Sequence, residues 1–123
     1  LIALREARDA AEGWQSVEIV ACTDRSVELP ARSVDVVFLC DTYHHFEYPQ
    51  STLASIRRAL KPGGMFVVVD FVRIEGVSSP WLLDHVRAGK EVFRAEIEEA
   101  GFQFLDEPKV PGLAENYLLR FRK

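Results

Sequence analysis

The sequence is short of cysteine, of basic excess and of long apolar runs, and each shortage removes a class of protein. Two cysteines, Cys22 and Cys40, are too few for a disulfide framework and, by themselves, for a zinc site. Lysine and arginine number 15 against 19 acidic residues, which leaves a net charge of −4. Domains that bind nucleic acid through its phosphates carry a basic face, so that partner is not expected. No apolar run approaches the roughly 20 residues that span a bilayer, and no secretory h-region is visible. A membrane partner is therefore not expected either. Spacings such as H-x-x-x-H are missing, so no metal is expected. Repeats and low-complexity segments are absent as well. The chain opens at Leu1 rather than Met and reads as a processed or cut piece. These absences leave a reduced, cytoplasmic globular protein.

What remains is the material of one domain. With 123 residues, 48% of them apolar, a core can form, though the chain is short for a many-stranded α/β domain. Leu4, Ala7, Ala11 and Trp14 recur at helical spacing, which predicts a helix over 1–12 stopped by Gly13. "SVEIVAC" (16–22) is β-branched and predicts a strand. "VDVVFLC" (34–40) is a nearly continuous apolar run, as in a strand buried on both faces. Pro49 fits a helix start, and Leu53, Ile56, Arg57 and Leu60 follow at helical spacing to an end near Lys61, because Pro62 cannot continue the helix and Gly63-Gly64 turn the chain. "MFVVVDF" (65–71) predicts a second buried strand. From Trp81 to Ala100 the pattern is helical, with a break at Gly89 and a stop at Gly101. "FQFLDE" (102–107) and "NYLLRFR" (116–122) predict two more strands. In the latter, strict alternation sets Tyr117, Leu119 and Phe121 on one side and Leu118 and Arg120 on the other.

Buried strands alternating with helices point to an α/β layered sheet, mostly parallel. In such sheets ligands sit beyond the carboxyl ends of the strands. Two polar stretches lie at such ends, "CTD" (22–24) and "DTYHHF" (41–46).

The series "LP-x-x-SVDVVFL", "HHF", "L-x-x-I-x-R-x-LKPGG", "VVVDF" and "E-x-AGF", in that order, resembles the class I S-adenosylmethionine-dependent methyltransferase family over nearly the whole chain. The resemblance implies a partial Rossmann-like sheet, mostly parallel with an antiparallel last strand and helices on both faces. It implies methyl transfer from S-adenosylmethionine to a small molecule. One departure stands out. The family holds its cofactor through a glycine-rich loop after its first strand and an acid ending its second. The seven glycines here form no G-x-G, and by resemblance Leu1 falls just after the second strand. Residues 1–123 then read as a single methyltransferase-like domain lacking the family's first two strands and impaired in cofactor binding. The rival readings are a non-catalytic remnant serving as a dimeric or partner-binding module, and a piece of a longer polypeptide.

The resemblance also assigns candidate residues. An acid after the third-strand position accepts from the adenine amino group, which points to Thr23 and Asp24. The turn after the fourth strand passes the methionine end of the cofactor, which points to Asp41 and Thr42. Methyl transfer needs a base only where the acceptor must lose a proton, and histidine suits that task near neutral pH. His44 and His45 are the candidates. Against these stand plain alternatives: a solvated loop acid at Asp24, a turn cap at Asp41 and Thr42, structural histidines at 44 and 45. Asp70 ends the fifth-strand position and either faces the cleft or pairs with Arg73. Trp81, His85 and Arg87 either line a pocket mouth or belong to a solvated amphipathic helix.

The family's strand order, 3-2-1-4-5-7-6, sets strands 16–22 and 34–40 roughly 14 Å apart with two strands between them. Without those two, strand 34–40 has an open apolar edge, an aggregation liability. Strand 16–22 slides in beside it, or a second copy pairs there as a homodimer. Cys22 and Cys40 are too far apart for a disulfide in the first arrangement, because a bridge needs Cα atoms within about 7 Å. In a rearranged sheet they become neighbours.

Overall fold

A computed structural model describes Gly13 and residues 16–123; the helix expected over 1–12 lies outside them. The elements in chain order are β1 (Val34–Cys40), a single 3-10 turn (Tyr43–His45), α1 (Pro49–Ala59), β2 (Leu60–Phe71), α2 (Pro80–His85), α3 (Lys90–Glu99), β3 (Gln103–Asp106) and β4 (Asn116–Arg122). They build one four-stranded sheet of order β1-β2-β4-β3. β1 and β2 pair parallel, while β4 runs antiparallel to both β2 and β3. Three strands therefore point one way and the last strand points back, the 4-5-7-6 portion of the family order.

Residues 17–23 form no strand, contrary to the β-branched pattern of "SVEIVAC". Val17 and Val20 are exposed, and no strand of the described sheet lies beside them. Strand propensity reflects packing against neighbours more than backbone preference, so the pattern goes unused. The rearranged sheet is thereby excluded: β1 stands at the edge, and segment 22–27 instead runs along α1. There Ser55 Oγ accepts the Val27 N–H at 3.0 Å and Thr52 Oγ1 donates to the Asp24 carbonyl at 3.3 Å. Nor is β1 buried on both faces. Val36 and Phe38 are 54% and 59% exposed, because an edge strand is shielded only by what lies on its inner face.

The inner face holds the core. Phe66 and Val68 of β2 lie opposite Phe121 and Leu119 of β4. Onto them pack Leu53 and Ile56 from α1 and Phe93 and Ile97 from α3, all fully buried. Each such side chain contributes about 1.5–3 kcal/mol of transfer free energy. The "LKPGG" stretch enters β2 as an irregularity. The β1–β2 register shifts between Val34 and Val36, so Lys61 to Gly64 bulge out opposite Asp35. A Cβ at Gly64 would lie 2.9 Å from the Lys61 carbonyl oxygen and 3.1 Å from that of Asp35, so only glycine fits without a shift. The long helical pattern after Pro80 does break at Gly89, which is the N-cap of α3. Gly101, at φ 93, ends α3, with the Phe102 N–H reaching back to the Ile97 carbonyl as in a Schellman cap.

Candidate functional site

Four chain segments converge at the carboxyl ends of β1 and β2. β1 delivers Asp41 to His45, β2 delivers Asp70 and Phe71, β4 begins there with Asn116, and α2 ends there with His85. Asp70 is fully buried, and its carboxylate accepts three hydrogen bonds. Oδ1 lies 2.7 Å from His44 Nδ1 and 2.8 Å from the Phe71 amide, and Oδ2 accepts the His44 amide at 3.1 Å. Arg73, the partner weighed for Asp70 from sequence, pairs with Glu75 instead. An acceptor-only carboxylate at Nδ1 sets the ring proton there and leaves Nε2 as the bare nitrogen. His44 Nε2 is buried without a hydrogen-bond partner.

All three histidines of the chain meet here. The His44 ring centroid lies 4.0 Å from that of His45 and 5.0 Å from that of His85, and His45 lies 4.9 Å from His85. Trp81 stacks on His85 at 4.7 Å, 18° from parallel. His45 is held below its ordinary pKa, first by desolvation and then by the two neighbouring imidazoles.

Beside this cluster, a cavity of about 270 Å³ is lined by Thr23, Asp24, Thr42 and His45 around Val27, Leu39 and Phe46. It gathers four of the six residues singled out from sequence, and His45 belongs to both cavity and cluster. Thr42 Oγ1 donates to the Cys40 carbonyl at 2.8 Å, which leaves its lone pairs to the cavity. Apolar walls with a few converging polar groups suit one end of a nucleoside-type ligand, although the volume is below the range usual for a whole one. Asp41 and His44 do not line it. Asp41, at φ 49, accepts from Asn116 Nδ2 at 2.7 Å, strapping the end of β1 to β4. The neighbouring Cys40 thiol is pushed up by desolvation and by Asp41. A larger cavity, about 420 Å³, lies by the 107–113 connection and carries no imidazole.

Sequence reasoning missed a second polar network. Tyr43 is buried, and its hydroxyl donates to Glu96 Oε2 at 2.9 Å, while Arg87 grips the same carboxylate with two bonds of 2.6 and 2.7 Å. Burial acts to raise the Glu96 pKa, but the bonds from Arg87 and Tyr43 outweigh it and hold the carboxyl below its ordinary range. The only sequence signal was a glutamate on the apolar stripe side of α3.

A profile of the methyltransferase-domain family matches residues 2–68. Among solved structures, a SAM-dependent methyltransferase from Aquifex aeolicus superposes with a TM-score of 0.82 at 20% identity, over 95% of this chain and 60% of that one. The [4+2]-cyclase SpnF gives 0.79 at 18% identity, over 98% and 61%. A methyltransferase from Haloferax volcanii, solved with its Trm112 activator, gives 0.71 at 17% identity, over 98% and 77%. These likenesses establish the fold, and one of the proteins that share it is named a cyclase. Among curated proteins, lovastatin diketide synthase from Aspergillus terreus is 35% identical over 74 residues, 56% of this chain and 3% of that protein. The chain thus spans about 60% of the first two structural relatives.

Proposed function

This chain belongs to the methyltransferase-domain family, and on that premise we propose that it serves S-adenosylmethionine-dependent methyl transfer to a small molecule that must give up a proton. The observation that carries the reading is the Asp70–His44 pair, with the partnerless Nε2 behind it. The cofactor, when bound, supplies an electrophilic methyl group. His44 Nε2 takes the acceptor's proton, and Asp70 holds the ring in the tautomer that leaves this nitrogen bare and stabilises the imidazolium that forms. His45, kept neutral by its surroundings, is the second base candidate and lies on the cavity wall. Asp24 and Thr23 receive the adenine end, and Thr42 faces the methionine end, with Asp41 fixing the turn that carries it. Without a G-x-G in the sequence, this chain by itself holds the cofactor weakly. Exposed, free Cys22 and Cys40 suit a reducing, cytoplasmic setting. Among the described residues no helix is long and apolar enough to cross a membrane.

The test is transfer of labelled methyl from S-adenosylmethionine, with cofactor binding measured by calorimetry on the same preparation. The match to a diketide synthase makes a small carbonyl compound with an acidic C–H the first acceptor to try, with a phenol beside it. His44→Gln is expected to slow transfer roughly 10²–10⁴-fold and leave cofactor affinity unchanged. No cofactor binding at millimolar concentration, or full activity in His44→Gln, would sink the reading.

A second reading rests on the edge of β1, which has no strand partner among the described residues, and on its exposed Val36 and Phe38. An unpaired apolar edge pairs readily with another strand, which favours a homodimer or a partner-binding module, catalytic or not.

A further inference from the structure

We propose that His44, His45 and His85 form a site for a zinc-class divalent ion, a role that methyl transfer does not call for. No local motif announces it. Two ligands are adjacent in sequence and the third lies on a different element, so the topology alone brings them together. One ring nitrogen from each histidine lies within 4.8 Å of the other two. On His44 the nitrogen not engaged by Asp70 is Nε2, and that residue is 4% exposed with Nε2 lacking any hydrogen-bond partner. A buried polar nitrogen left without a partner destabilises the fold. A metal ion removes that deficit, because it takes the lone pair directly.

The surroundings are those of a ligand set. Asp70 holds the far nitrogen of His44 at 2.7 Å, the carboxylate–histidine arrangement that orients metal-bound imidazoles and raises their basicity. Trp81 stacked on His85 fixes that ring's plane. His45 is exposed, so its ring can turn toward the other two. Tetrahedral zinc with bonds of about 2.0–2.1 Å needs nitrogens roughly 3.4 Å apart, so nitrogens that lie within 4.8 Å of one another need close by no more than about 1.4 Å. Three neutral imidazoles favour zinc, nickel, copper or cobalt over magnesium and calcium, which prefer oxygen ligands. Three protein ligands leave a fourth position open to water. Because the ion and the acceptor's proton compete for the same Nε2, an occupied site shuts off the base. That last consequence, unlike the binding itself, rests on the methyl-transfer reading.

The experiment uses the tag-free, chelator-stripped full chain, without cofactor or acceptor, titrated calorimetrically with zinc chloride. Cobalt chloride follows in a parallel cell read by its visible d–d bands. One ion per chain with the spectrum of four-coordinate cobalt is expected, and magnesium should give no heat. His85→Ala, with its unliganded melting temperature checked against wild type, should weaken zinc binding by more than the roughly 10–100-fold typical of losing a supporting residue. The double variant Cys22→Ser, Cys40→Ser should bind as wild type does. Absence of binding at millimolar zinc overturns the proposal. So does His85→Ala binding like wild type, or loss of binding in the cysteine variant with its retention in His85→Ala. None of these readouts depends on methyl transfer, so the two readings fail separately.

Discussion

Asp70 grips His44 at two points, with Oδ1 2.7 Å from the ring Nδ1 and Oδ2 3.1 Å from the backbone amide. The grip fixes both the ring and the turn that carries it. Asp70→Asn keeps the shape but offers an amide N–H where one of the acceptor oxygens stood. With that N–H at the Oδ1 position the His44 ring and the Phe71 amide both face a donor, and at the Oδ2 position the His44 amide does. Loss of a buried charged hydrogen bond costs about 1.5–3 kcal/mol, which chemical denaturation will read. Reversal of the His44 tautomer should lower methyl transfer by on the order of 10²-fold or more. A variant as stable and as active as wild type would remove Asp70 from the site.

The Glu96 network gives a pH signature. The carboxyl is held below its ordinary value of 4.5, so the folded state binds fewer protons there than the unfolded state. Its contribution to stability is fully present above about pH 4.5. That contribution is lost as pH falls through the lower folded value. Glu96→Gln should be destabilised by about 1.5–3 kcal/mol at neutral pH, since two charge-assisted bonds from Arg87 and one from Tyr43 lose their carboxylate. The gap between the variant and wild type should stay flat at neutral pH and narrow below pH 4.5, followed by thermal unfolding across that range.

The glycines of "LKPGG" separate two mechanisms. At Gly63 the backbone has φ 74 and an added Cβ meets nothing within 4 Å. Gly63→Ala therefore incurs only the left-handed penalty of about 1–2 kcal/mol. At Gly64 the same atom runs into two carbonyl oxygens at 2.9 and 3.1 Å, and the strand must move. Gly64→Ala should cost more, up to about 3 kcal/mol, and should disturb the β1–β2 register. Equal melting temperatures for the two variants would contradict this.

The same motif shows how far sequence reached. Apolar runs bounded by turn residues gave β1 and β4 at their observed limits, because alternation and length carry that information locally. Segment 16–22 failed for a physical reason: a β-branched stretch makes a strand only beside another strand, and composition does not report neighbours. Site residues divide in the same way. Thr42 and His45 follow the end of β1, where an α/β sheet opens its cleft, and Thr23 and Asp24, after a segment that forms no strand, share one cavity with them. The Asp70–His44 contact spans 26 residues, and Tyr43 to Glu96 spans 53. Only the order of strands brings such pairs together, and no spacing rule encodes it.

Edge strand β1 carries the last prediction. Its outer side has no strand partner among the described residues, and Phe38 and Val36 project 59% and 54% exposed from one face. Proteins guard such edges with charge, bulges or a cover. Here, among the described residues, the ion pair at the strand, Lys61 with Asp35 at 2.8 Å, sits at its start and does not guard the apolar end. Pairing of two copies edge to edge would satisfy the free backbone groups and cover both phenylalanines. Light scattering after size-exclusion chromatography should therefore find a dimer at micromolar concentration. Phe38→Lys should shift it to monomer without lowering the melting temperature of the monomer, since among the described residues the side chain is mostly exposed. A wild-type chain that stays monomeric at high concentration would mean the edge is tolerated bare. A Phe38→Lys dimer would mean that association uses another surface.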